Sequence, residues 1–213
     1  MFGIDPATGS FQSWIRLINI AFVAVAAAYL VVFVYACVGS SILVPYSDMV
    51  DLVDDYFRAV DAGKPVEYLL DPHNFHRLPW FRSLIALDVS VLRGTGFPLV
   101  CVALACLIGT ALLLMIEVRR AAGGLVIPLL VLVGMLVFLT ANAAGVSVPA
   151  NSPHLHTTFF SLLALVAAAS ASERSGSSRG WTAAIVCAAA ASFSLATALV
   201  LWPILMLMVI RPL

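Results

Sequence analysis

Charge is what this sequence has least of. Charged residues fill 10% of its 213 positions and apolar residues 62%, where a soluble domain carries about 25% and about 45–50%. That imbalance excludes the soluble globular class and leaves an integral membrane protein. The 11 basic and 11 acidic residues cancel, so there is no basic surplus of the kind that holds nucleic acid. Cysteine pairs at zinc or redox spacing are also missing. Cys37, Cys101, Cys106 and Cys187 each sit inside an apolar run, where a thiol packs as a small polarizable group. The long apolar runs lack ionisable residues at their centres, and no pair of them is interrupted as transporter helices are, which argues against an ion pump or transporter. No internal repeat occurs, and the only linker-like stretch is the Ser/Gly-rich loop at 175–180.

What is present is a series of long apolar runs. A hydrocarbon layer about 30 Å thick takes about 20 helical residues to cross, and backbone groups inside it must bond within the segment. Runs at about 15–38, 97–116, 123–146 and 181–202 reach that length, and 155–171 does so narrowly. The last continues past Trp202 to residue 210, with Pro203 the expected point of a bend. The expected fold is therefore all-α: a polytopic helical membrane protein forming one module over 1–213. It has five spans, or six if the tail crosses, and a long extracytoplasmic loop at 39–95. The first run is too long for a cleaved secretory signal, and Tyr35 is a poor neighbour for a cleavage site. Arg16, Arg119, Arg120, Arg174 and Arg179 fall on one side in short connections, which places that side and the amino terminus in the cytoplasm.

The loop gathers what the rest of the chain avoids. Between residues 44 and 88 lie eight of the 11 acidic residues: Asp48, Asp51, Asp54, Asp55, Asp61, Glu67, Asp71 and Asp88. From Met49 to Val60, apolar residues recur at helical spacing with Asp51, Asp54, Asp55 and Arg58 between them, which predicts an amphipathic helix that "AGKP" ends. A second helix is expected after Pro79, with Trp80, Phe81, Leu84, Ile85, Leu87, Val91 and Leu92 on its apolar side and Arg82 and Asp88 interrupting. Between them "DPHNFHRLP" forms a polar corner flanked by prolines. All four histidines, His73, His76, His154 and His156, fall on this same side.

Clustered titratable groups are often only a wet helix face. The corner, with His73, Asn74, His76 and Arg77 in five residues, is the part that reading explains least. A zinc site is disfavoured, because the histidine pairs lack zinc spacing and no cysteine assists. An arginine beside histidines suits an anionic head group, since guanidinium offers a bidentate fork to phosphate oxygens. In the spans, Thr140 and Asn142 are expected to bond neighbouring helices. Glu117 should pair with Arg119 or Arg120 at the membrane edge, and the Ala/Ser runs should let helix backbones approach closely.

Taken together, an apolar first span, "YSDMVDLVDDY", "LLDPHNFHRLPWFRSLIALD" and later "FSLATALVLWP" resemble the amino-terminal part of bacterial membrane proteins related to the GT-C glycosyltransferases. The likeness runs from about residue 15 to 205, and its sharp motif is the corner. The family pattern there reads His-Asn-Glu-His-Arg, and Phe75 replaces the glutamate here, so no acid acts at that position. The resemblance implies an inverting transfer of sugar from a polyprenyl-phosphate donor at a bacterial inner membrane. It implies Asp48 as the catalytic base, with Asp51 the nearest substitute. It also implies Asp51, His73, Asn74, His76, Arg77 and Arg82 around the donor, with basic groups holding the leaving phosphate. No cofactor is required by this pattern; a weakly held divalent ion bridging carboxylates and substrate phosphate is the alternative. Expected partners are membrane lipid and the lipid-linked donor. Because such proteins run to more than twice this length, a partner membrane subunit or oligomer supplying further helices is also expected. The competing expectation is a non-catalytic subunit or truncated remnant whose acidic loop is structural or docks a partner.

Overall fold

A computed structural model describes residues 6–40, 48–73, 76–122, 134, 146–148, 151–173 and 177–210. Among them the architecture is helical apart from one two-residue ladder, with three helices long and apolar enough to cross a membrane: Leu17–Gly39, Phe97–Ala121 and Ser152–Glu173. The first lies within α1 (Pro6–Gly39), the second within α5 (Phe97–Ala122), and the third is α6 (Ser152–Glu173). The expected span at 123–146 lies outside the described residues except for Gly134 and Val146.

The expected span at 181–202 is divided. Helix α7 (Ser178–Ser194) stops at Leu195, whose backbone is extended. A 3-10 turn (Ala196–Val200) follows, and then α8 (Leu201–Ile210). The break comes before Pro203 rather than at it, and the reason is steric. Proline lacks an N–H and its ring clashes with the carbonyl four residues earlier, so it is tolerated only in a helix's first turn. Restarting the helix at Leu201 puts Pro203 in that turn. The Trp202 indole N–H then donates to Ser192 Oγ at 3.1 Å, tying the new helix to the end of the old one.

Small residues set the interhelical contacts. Ala164 and Ala168 of α6 cluster with Ala184, Ala188 and Ala191 of α7, all buried. Gly180 sits against Ala171, where even a Cβ would collide. Helices α6 and α7 therefore form a close antiparallel hairpin. Helix α5 is parallel to α6: Val100 and Ala103 cluster with Leu155, Gly109 faces the Phe159 ring, and Glu117 and Arg120 share a groove with Ser170 and Glu173. Helix α1 packs on this bundle through the carboxy-terminal part of its length, where Phe33 and Cys37 are buried and Tyr29, Leu30 and Val34 lie against the same cluster.

Residues 48–73 and 76–93 fold into a headpiece whose core of Met49, Leu52, Leu78, Phe81, Leu84 and Ile85 also takes in Leu99. Helix α2 (Asp48–Asp61) buries Met49 and Leu52. A short α3 (Pro65–Leu70) follows, then a two-residue antiparallel ladder, β1 (Pro72–His73) with β2 (His76–Arg77), and α4 (Pro79–Leu92). Helix α4 begins at the expected proline, but its sides differ from expectation. Arg82 and Asp88 are buried with Phe81, Leu84 and Ile85, while Leu87, Val91 and Leu92 are exposed. The inward charges are tolerated because each has partners. Asp88 Oδ2 accepts from the Gly96 amide at 2.8 Å and Oδ1 from Thr95 Oγ1 at 3.1 Å. This closes the α4–α5 corner, in which Arg93, Gly94 and Gly96 all have positive φ.

Candidate functional site

The headpiece is centred on Arg82, which is fully buried. Its Nη1 donates to the Tyr68 carbonyl at 2.9 Å, and its Nη2 lies 3.3 Å from Asp55 Oδ2. Its guanidinium carbon stands 4.6 Å from the centre of the Tyr68 ring, a cation–π arrangement. One side chain thus joins α2, α3 and α4. Tyr56 meets Tyr68 edge-on at 5.4 Å. The Tyr68 hydroxyl is buried with no partner, and burial holds its pKa well above that of an ordinary phenol; nearby Arg82 works against this rise and Asp55 adds to it.

The residues singled out from the sequence fall into three groups. Asp48 opens α2, and His73, His76 and Arg77 form the ladder, whose backbone register sets His73 opposite His76 and Pro72 opposite Arg77. The side chains of these four, and the whole of Asn74 and Phe75, lie outside the described residues. Asp51 is exposed on α2. Arg82 lies inside the headpiece and is engaged with Asp55 and Tyr68. Among the described residues no group of three or more His, Cys, Asp or Glu stands close enough to hold a metal ion.

Two features were not foreseen from sequence. Asp55 and Tyr68 emerge as the partners of Arg82; the only hint was that Asp55 shares a helix face with Leu52, three residues earlier. The second feature lies where the headpiece meets the bundle. The Trp80 ring is edge-on to His156 at 6.4 Å and to Phe160 at 5.9 Å. His156 and Ser152 there are completely buried. At the opposite end of α5 and α6, a polar groove of about 440 Å³ is lined by Glu117, Arg120, Ser170 and Glu173, with Glu117 and Arg120 ion-paired as expected. Comparison of the chain with protein-family models, with curated proteins and with solved structures gave no match.

Proposed function

We propose that this chain is a GT-C-like membrane module whose headpiece binds a lipid-phosphate-linked sugar at the membrane surface, in an inner membrane, with the amino terminus cytoplasmic. The observation that supports this most is the layout of the headpiece. A helix that opens at Asp48 and the ladder of Pro72–His73 with His76–Arg77 are carried by one folded unit, placed between the first two long apolar helices among the described residues. In this reading the Asp48 carboxylate takes a proton from the acceptor hydroxyl, which attacks the anomeric carbon with inversion. The phosphate leaves toward His76 and Arg77. The Arg82–Asp55–Tyr68 contact keeps the two elements in register, making Arg82 a positioning residue.

A test is sugar transfer from radiolabelled polyprenyl-phosphate mannose, glucose and arabinose in vesicles containing the full chain, alone or with co-purifying subunits. Asp48→Ala is expected to lower transfer by about 10²–10⁴-fold with membrane insertion unchanged. Transfer at the wild-type rate in that variant ends the assignment.

A second reading, a non-catalytic subunit, is favoured by α1. Only 6% of its apolar span is buried in the fold, and Trp14, Leu17, Ile20, Val31 and Tyr35 face outward. A helix so bare is suited to partner helices as well as to lipid. This reading expects no transfer from any donor, and capture of a membrane partner that α1 substitutions abolish.

A further inference from the structure

Hydrogen-bonding groups buried without a partner are concentrated in one place. Among the described residues eight such side-chain atoms occur, and five of them belong to Trp80, Ser152, His156 and Thr157: the indole Nε1, two hydroxyls and both imidazole nitrogens. Native folds leave few such groups unmet, and each one costs folding free energy. Elsewhere among the described residues, helical hydroxyls such as Thr110, Thr158, Thr182, Ser192 and Ser194 escape the cost by donating to the carbonyl four residues back, Ser172 being an exception. Thr157 does not. Ser152 stands in the first turn of α6, and His156 lies one turn on along the same face.

The groups share a chemical bias. An indole N–H can only donate, hydroxyls and an imidazole can each donate, and the start of a 22-residue helix adds free amides and the positive end of its dipole. No carboxylate is among them. Such a set is suited to a group that only accepts hydrogen bonds and carries negative charge. The Trp80 ring lies against this face, edge-on to His156 and to Phe160.

We infer that the amino-terminal face of α6 is a phosphate-binding site, held by Ser152, His156 and the Trp80 indole N–H, with the Trp80 ring as a plug that shifts to admit the phosphate. The phosphate comes either from a lipid head group or from a soluble donor; the site recognises the chemistry the two share. The inference rests on the reading above only for the lipid-linked source. Phosphate binding is measured without sugar transfer, so either can fail while the other stands.

The test is a titration of the full chain in nanodiscs of zwitterionic lipid, following the indole ¹⁵N–¹H resonance of Trp80, assigned with Trp80→Phe. One arm adds dodecyl phosphate, and the other adds inorganic phosphate. A saturable shift with dodecyl phosphate alone supports a lipid head group, and a shift with both supports a soluble source as well. Ser152→Ala and His156→Ala should each weaken the apparent affinity by about tenfold, as expected for the loss of one charge-assisted hydrogen bond. Absence of a saturable shift with either probe in the wild-type protein overturns the inference. So does an undiminished shift in both variants.

Discussion

Arg82 and Asp55 form an unequal pair: the guanidinium is fully buried, while the carboxylate, 3.3 Å away, keeps 40% of its side-chain surface in solvent. The two members therefore do not depend on each other equally. Without Asp55 the cation is stranded in the headpiece core, whereas without Arg82 the carboxylate can still be hydrated. Asp55→Asn is expected to destabilise the protein by about 3 kcal/mol, the low end for a broken buried pair because Asp55 is partly screened by water. Arg82→Met should cost less than half as much. Thermal unfolding in detergent micelles, followed by circular dichroism, compares them. Equal losses would show that Asp55 does not neutralise Arg82.

Tyr68 gives the headpiece a dependence on alkaline pH. Burial raises its pKa in the folded state above the ordinary value of about 10, so its contribution to stability is complete below pH about 10 and falls as pH rises beyond it. Tyr68→Phe should remove that part of the fall. It should also leave stability at pH 7 unchanged or slightly higher, since the hydroxyl it deletes has no partner. The measurement is the difference between wild-type and variant melting temperatures from pH 8 to 11. A difference that stays constant across the range would rule out Tyr68 as its source.

At Gly180, an added Cβ would come to 2.7 Å from Ala171 Cβ and 3.2 Å from its Cα. The obstacle includes backbone, so α7 would have to move away from α6. Gly180→Ala should cost about 1–3 kcal/mol through overpacking. Gly39→Ala, with nothing within 4 Å, should stay within about 0.5 kcal/mol. The same melting assay separates the two, and similar effects would mean the α6–α7 contact is looser than described.

Asp88→Ala would leave the buried Gly96 amide without its acceptor. A loss of about 1–3 kcal/mol is expected, together with faster hydrogen exchange at Gly96. Asp88→Asn keeps one acceptor oxygen and should fall between wild type and alanine. Unchanged exchange at Gly96 in Asp88→Ala would remove the corner-closing role.

The sequence revealed periodic features more readily than pairwise ones. The α2 pattern, the start of α4 at Pro79 and the extent of α6 follow from spacing and from proline chemistry, which are local. Helix α3 was missed because six residues are too few to show a period. Its signals, Pro65 at the first turn and the Lys64–Glu67 ion pair, also suit a plain loop. The burial of Arg82 and Asp88 could not be read from a pattern that treats charge as outward-facing. It depends on an acceptor 27 positions back along the chain for Arg82 and on donors at the next corner for Asp88. At the site, the corner was visible as composition. The meeting of Trp80 with His156 was not, because it joins residues far apart in sequence where the headpiece meets the bundle.

The parallel arrangement of α5 and α6 sorts the polar groups of the bundle by end. Ser152 and His156 stand beside the headpiece at one end, and Glu117, Arg120 and Glu173 gather at the other. A 22-residue helix, about 33 Å long, separates the two sets, so substitutions in one should simply add to substitutions in the other.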